Sequence, residues 1–139
     1  MCGIAGYLTV DAERVPSSVL ARMTDQIEHR GPDGNGYYRD AFANLGHRRL
    51  SIIDLAGGSQ PMYNEDRTLV IVYNGEVFNH AAVREPLEQA GHRYGSRCDT
   101  ETLLHAYEQW GVDSLSHYRG MFSFAIWDTE KRELFCARD

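Results

Sequence analysis

Apolar side chains recur along this chain with two periods, and the two periods divide it into elements. Between Pro16 and His29, the residues Val19, Leu20, Met23 and Ile27 fall at helical spacing, and Pro16 suits a first helical turn. Phe78 to Ala90 and Asp99 to Trp110 read as two further helices, stopped by Gly91 and Gly111. Asp99 or Thr100 is placed to cap the second of these. Gly3 to Val10, Gly36 to Phe42, Leu45 to Asp54, Leu69 to Tyr73, Gly120 to Asp128 and Glu133 to Ala137 read as strands. A charged turn from Thr129 to Arg132 joins the last two. Turn formers crowd Arg30 to Gly36 and Ala56 to Pro61, and Asn74-Gly75 breaks the strand that starts at Leu69. Strands outnumber helices and cluster at both ends, which predicts stacked sheets with helices outside, an α+β layered domain. There is no internal repeat. The last strand runs out at Cys136-Ala137-Arg138-Asp139 with no polar tail, which reads as part of a longer protein.

Composition narrows the function classes. A chain of 139 residues is the size of one domain, and 42% hydrophobic with 24% charged is ordinary globular usage. The net charge of −6 comes without any basic run beyond His47-Arg48-Arg49, which argues against a nucleic-acid footprint. No apolar run approaches a membrane span, and the start lacks the basic and apolar regions of a secretory signal. Three cysteines at 2, 98 and 136 form no C-x-x-C pair, so a disulfide framework is not expected and a reducing cytoplasm is the default. The six histidines are scattered along the sequence and read as surface or locally bonded residues, with no metal-ligand spacing.

Against that background the chemistry gathers at a few positions. Cys2 follows Met1 in the opening M-C-G-I-A-G. With Met1 removed, one residue carries both a thiol and a free α-amine, a nucleophile beside a base, and both groups titrate near neutrality. Acyl transfer from such a thiol needs donors aimed at the developing oxyanion. Asn74 and Gly75 offer a side-chain amide and a backbone N–H on an accessible turn, although Asn-Gly taken singly is a hairpin signal. Arg49 is a planar fork suited to a carboxylate, and Glu76 and Asp99 are carboxylates suited to an ammonium group. Judged one at a time, Arg49 is equally a strand surface residue and Asp99 a helix cap. The glycines at 31, 34 and 36 and the run Ala56-Gly57-Gly58-Ser59 lack the ending of a phosphate loop, which excludes a nucleotide site there. Cys98 reads as a structural or incidental thiol and Cys136 as core.

Seven segments occur in one order: M-C-G-I-A-G, H-R-G-P-D-G, H-R-R-L-S-I-I-D-L, G-S-Q-P-M, Y-N-G-E-V-F-N-H, D-T-E-T-L-L-H-A-Y and R-G-M-F-S-F-A-I-W-D. Together they resemble the N-terminal glutaminase domain of glutamine-hydrolysing asparagine synthetases, the class II or N-terminal-nucleophile amidotransferases. The resemblance covers essentially the whole chain, residues 1–139, as a partial type-2 amidotransferase domain whose synthetase domain lies outside it. It implies a four-layer αββα sandwich of the N-terminal nucleophile hydrolase type, incomplete at the C-terminal end. It also implies roles. Cys2, exposed by removal of Met1, attacks the side-chain amide of L-glutamine, and its own α-amine relays the proton. Asn74 and the N–H of Gly75 hold the oxyanion. Arg49 clamps the substrate α-carboxylate, and Glu76 and Asp99 take the α-ammonium. The backbone of Leu50, Ser51, Ile52 and Ile53 lines the pocket, and Arg30 to Gly34 supports the site. A γ-glutamyl thioester on Cys2 is then hydrolysed to glutamate and ammonia. The ammonia feeds ATP-dependent amidation of aspartate to asparagine in the parent enzyme. No cofactor or metal is implied for the glutaminase step, and ATP and Mg²⁺ belong to the synthetase domain. The partners implied are glutamine and that domain, with no nucleic acid and no membrane. Three matters stay open at this stage: the oligomeric state, the acceptor, since relatives amidate others, and whether the chain is instead an inactive glutamine-binding or docking module.

Overall fold

Side chains alternate between two faces along each long strand, and the two faces belong to different cores. A computed structural model describes residues 2–10, 15–50 and 58–139. Three strands, β1 (Gly3–Leu8), β2 (Gly34–Arg39) and β3 (Ala43–Arg49), form an antiparallel sheet in the order β1-β3-β2. Four more, β4 (Met62–Tyr63), β5 (Leu69–Val77), β6 (Gly120–Asp128) and β7 (Glu133–Arg138), form a second antiparallel sheet in the order β4-β5-β6-β7. Val70, Val72, Ala125 and Trp127 point from the second sheet to Ala43 and Leu45 of the first. Leu69, Ile71, Tyr73, Phe124 and Ile126, one position out of phase, point the other way. That outer face is covered by α2 (His80–Gln89) and α3 (Asp99–Trp110), through Val83, Leu87, Leu103, Leu104 and Tyr107. α1 (Ser17–Asp25) covers the outer face of the first sheet, with Leu20 fully buried against β1 and β3. The layers are therefore helix, sheet, sheet, helices: the expected α+β sandwich. Among the described residues no helix is long and apolar enough to cross a membrane.

The boundaries of α3 and β6 and the glycine stops of α2 and α3 agree with the periodicity. Several other expectations are corrected. β5 does not break at Asn74-Gly75 but runs to Val77, because β6 pairs with it residue by residue from Leu69↔Asp128 to Val77↔Gly120. Tertiary pairing outweighs a local turn preference here. β2 begins at Gly34, inside the glycine-rich segment read as loop, because Gly34 pairs with Arg49. α1 ends at Asp25, short of His29, and a 3-10 turn over Glu28–Arg30 follows. Phe78 and Asn79 precede α2. Phe78 N–H donates to Arg119 O, and the Asn79 side chain bridges His117 O and Arg119 N–H, which ties this corner to the start of β6. Neither β4 nor the 3-10 segment Gly111–His117 was legible in the pattern. Cys136 is exposed rather than core, since Phe135 and Ala137 on either side of it take the core face of the edge strand β7. The strand expected to reach Asp54 is described as far as Arg49, and Ser51 to Asp54 lie outside the described residues, as do Ala56 and Gly57 of the second predicted turn.

His47 links the two sheets. Its Nε2 lies 3.1 Å from Tyr73 O, and the residue is 1% exposed. Burial, with help from the Arg49 charge and against the Tyr73 hydrogen bond, pushes its pKa down to about 4. The unfolded chain, with an ordinary imidazole, takes up that proton first. The contribution of neutral His47 to stability is therefore complete above about pH 6.5 and is lost as the pH falls toward about 4. Chemical denaturation across that window should show the wild type losing on the order of 3 kcal/mol more than His47→Gln, whose neutral amide has no proton to gain. Equal pH slopes for the two proteins would refute the assignment.

Candidate active site

One end of the sandwich is open, and residues from both sheets and from α3 meet there in a cleft of about 230 Å³. Cys2 enters it directly ahead of β1. Because β1 and β3 are antiparallel, with Gly3 opposite Arg48, the start of β1 lies beside the end of β3. Leu50 N–H donates to Cys2 Sγ at 3.3 Å, and Sγ lies 3.7 Å from Leu50 O. Arg30 Nε donates to Cys2 O at 3.1 Å. The loop that carries Arg30 is seated on the end of β3 by a bridge between Pro32 and Arg49 and by Asp33 N–H donating to Arg49 O at 3.0 Å. Gly31 allows this seat, since a Cβ there would lie 2.4 Å from the backbone carbon of Arg48. The glycine and proline of that loop thus have a packing reason.

The opposite wall comes from β5. Tyr73, Asn74, Gly75 and Glu76 line the cleft. Phe122 N–H donates to Asp139 Oδ1 at 2.9 Å and Phe122 O accepts from Asp139 N–H at 3.0 Å, so both backbone groups face away from its β5 partner Gly75. Gly75 therefore sits at a non-hydrogen-bonded position of the β5–β6 ladder, with its own N–H turned away from β6. The residues two before and two after it share that edge. Tyr73 N–H is taken by Gln60 Oε1 at 2.6 Å, and Val77 N–H by Asp99 Oδ2 at 2.9 Å. Between them, no described residue accepts the Gly75 N–H. Gly75 has φ 153°, and a Cβ on it would come within 2.2 Å of Met121 O, so only glycine keeps this approach. Beside it, Asn74 Oδ1 is buried with no hydrogen-bond partner among the described residues. The strand edge thus presents an amide side chain and a backbone N–H to the same space.

Asp99 enters from the first position of α3. It does not cap its own helix. Its carboxylate accepts from Tyr73 Oη at 2.6 Å and from Val77 N–H, which holds it on β5. Burial and then the Asp99 charge push the Tyr73 phenol well above its usual range, so Tyr73 stays a neutral donor. Arg49, at the end of β3, lines the cleft with Asp99 and Glu76.

Cys2, Arg49, Leu50, Asn74, Gly75, Glu76 and Asp99, spread over 98 positions of sequence, all line this one cleft. Ser51, Ile52 and Ile53 lie outside the described residues. The lining also includes Gly58, Gln60, Tyr73, Cys98, Thr100 and Met121, which the sequence reading does not assign to the site. Gln60 buttresses Tyr73 and places its Nε2 3.5 Å from Thr100 Oγ1. Thr100 lines the cleft, and Cys98, buried beside Ser96 Oγ at 3.0 Å, lines it too. The only sequence signal for Gln60 was its place in G-S-Q-P-M. Nothing marked Cys98. In sum, the site offers a thiol, an amide and a backbone N–H along a strand edge that no described residue engages, the Arg49 guanidinium and two carboxylates, a set that suits attack on a substrate bearing both an amide and an amino-acid headgroup.

The pattern that describes the glutamine amidotransferase domain matches residues 1–139. Asparagine synthetase (glutamine-hydrolyzing) 3 of Bacillus subtilis (strain 168) is 41% identical over 143 residues, which cover 100% of this chain and 23% of that protein. Asparagine synthetase (glutamine-hydrolyzing) 1 of Arabidopsis thaliana is 39% identical over 140 residues, covering 100% and 24%. The chain thus spans about a quarter of the length of these curated relatives. Among solved structures, the glutamine phosphoribosylpyrophosphate amidotransferase of B. subtilis, complexed with ADP and GMP, superposes with a TM-score of 0.68 at 19% identity, covering 99% of this chain and 36% of that one. A second, described as the allosteric regulatory enzyme of purine biosynthesis, superposes at 0.59 with 22% identity, covering 98% and 31%. At such identities the likeness is one of fold.

Proposed function

This chain belongs to the glutamine amidotransferase domain family, and from that premise we propose that it hydrolyses L-glutamine to L-glutamate and ammonia through a γ-glutamyl thioester on Cys2. The observation that carries the reading is the convergence of the Cys2 thiol and the Asn74–Gly75 strand edge on a single cleft. In this mechanism Met1 is removed and the α-amine of Cys2 accepts the thiol proton. Sγ attacks the side-chain amide carbon of glutamine, and the negative charge that develops on oxygen is met by the Asn74 amide and the Gly75 N–H. The tetrahedral intermediate collapses with loss of ammonia, which takes up the proton held by the amine. Water then cleaves the thioester and regenerates the thiol.

Arg49 pairs with the α-carboxylate of the substrate through its planar fork. Asp99, already oriented by Tyr73 and Val77, takes the α-ammonium together with Glu76. These headgroup contacts fix the substrate so that its amide reaches Sγ, which supplies rate through positioning. The identity to glutamine-hydrolysing asparagine synthetases extends the reading to the product. The ammonia feeds an ATP- and Mg²⁺-dependent synthetase domain that converts aspartate to asparagine.

The test is ammonia release from glutamine by the purified protein, with the intact mass read on the same sample. Protein that has lost Met1 should release ammonia, and protein made to retain Met1 should not, because its Cys2 nitrogen is then a peptide nitrogen without a basic lone pair. Equal activity in both forms would exclude the α-amine as the base.

A further inference from the structure

A second constellation lies away from the cleft, where no role has been assigned. Glu65 in the β4–β5 turn, His92 in the α2–α3 connection, and His105 and Glu108 on α3 each direct one ligand atom to a common point, and the four atoms lie within 4.8 Å of one another. His105 Nδ1 is 3.4 Å from Glu108 Oε2 and 3.7 Å from Glu65 Oε2, and His92 Nδ1 is 3.5 Å from Glu108 Oε2. Nitrogen and oxygen ligands held about 2.0–2.2 Å from a tetrahedral zinc ion stand roughly 3.3–3.6 Å apart. Two edges of this group already have that length, and the Glu65–His105 edge, at 3.7 Å, is slightly longer.

Three of the four are also held from behind by hydrogen bonds. His92 Nε2 lies 3.1 Å from Gln109 Oε1, and Glu65 Oε1 accepts from Arg93 N–H at 2.9 Å. Glu108 Oε1 accepts from Asn64 Nδ2 at 3.3 Å. His105 is 1% exposed, and its Nε2, with no hydrogen-bond partner among the described residues, faces Glu101 Oε1 at 3.8 Å. Glu101 is itself fixed by Gly95 N–H, Ser96 N–H and Ser96 Oγ. When Nε2 of each ring carries the proton toward these outer acceptors, both Nδ1 lone pairs face carboxylate oxygens. Acceptor then faces acceptor, an arrangement that demands a cation or a second proton. Histidine ligands backed by a carboxylate or amide acceptor are the usual outer shell of a metal site.

We infer that Glu65, His92, His105 and Glu108 form a structural site for a divalent transition metal, with Zn²⁺ the ion best suited to two imidazoles and two carboxylates without sulfur. The ion would tie the middle of α3 to the β4–β5 turn and to the α2–α3 connection. Because α3 begins at Asp99, such a clip would anchor the helix that carries a wall of the cleft.

The experiment is titration of chelator-stripped protein with Zn²⁺ against a chromophoric competitor, together with the visible spectrum of the Co²⁺ form. Saturable binding of one Zn²⁺ per chain is expected, with the absorption of four-coordinate Co²⁺ and no sulfur charge-transfer band. Glu65→Gln and His92→Gln alter partly exposed side chains, and each should weaken binding by more than the roughly 10–100-fold that loss of an outer-shell partner costs. A variant with Cys2, Cys98 and Cys136 all changed to Ser should bind as the wild type does. The inference is overturned by absence of stoichiometric binding, by undiminished affinity in the Glu65→Gln/His92→Gln double variant, or by loss of binding in the cysteine-free protein.

Discussion

Cys2→Ala is expected to reduce ammonia release from glutamine by at least about 10⁴-fold, the scale at which loss of a covalent nucleophile leaves only binding and oxyanion contributions. The same substitution should hardly change stability. Cys2 Sγ is only half-buried and receives one hydrogen bond, from Leu50 N–H, at the rim of the sandwich. Its loss should shift the unfolding free energy by no more than about 1 kcal/mol. Glutamine binding, read by calorimetry, should survive, because Arg49, Glu76 and Asp99 are untouched. Retention of even about a hundredth of wild-type turnover would remove Cys2 from the role of nucleophile.

Asn74→Ala should lower kcat by roughly 10²–10³, equivalent to about 2.7–4 kcal/mol of transition-state stabilisation, with little change in KM. The argument is geometric. Asn74 lies in β5, paired with Ser123, so its backbone is held by the sheet and the side chain can be removed without moving its neighbours. Its amide is not consumed by the fold: no described residue hydrogen-bonds the Asn74 side chain, which leaves Nδ2, the donor an oxyanion needs, uncommitted. A group positioned by a strand yet unused by it is free to act on charge that appears only in the transition state. A rise in KM at constant kcat would instead make Asn74 a ground-state binding residue and leave Gly75 N–H as the oxyanion donor.

The two readings of Asn74-Gly75 show where local inference stopped. Residue types alone mark the pair as a turn, and the same types are what an oxyanion site needs. The deciding facts are remote: β6 offers nine residues of pairing, and Met121 O comes so near Gly75 that no side chain fits. Asp99 teaches the same lesson. At a helix start it reads as a cap, but Tyr73 and Val77, more than twenty positions earlier, claim its carboxylate. Cys98 has no local pattern and Gln60 only its place in G-S-Q-P-M, because lining a cleft is a property of where three chain segments meet. The histidines read as scattered for that reason too. His92 and His105 are thirteen positions apart with no ligand spacing, and only the packing of the α2–α3 connection on α3, with ring centroids 5.0 Å apart, brings them together.

Hydrophobic periodicity was enough to place α2, α3, β1, β6 and β7 and to predict an α+β layered domain. A 3.6-residue or two-residue alternation is written into neighbouring residues and needs no knowledge of what lies across the core. The ordered motifs were likewise enough to point to a nucleophilic Cys2 and its companions, since the chemistry of a thiol, an amide, a guanidinium and a carboxylate travels with the residue type. Which of these groups face one another was settled by the fold. The antiparallel register of β1 on β3 sets Cys2 against Leu50, the β5–β6 ladder turns the Gly75 N–H outward, and the packing of α3 on β5 delivers Asp99. Distances of a few ångströms between residues tens of positions apart are fixed by loop closure and core packing, and no local pattern encodes them.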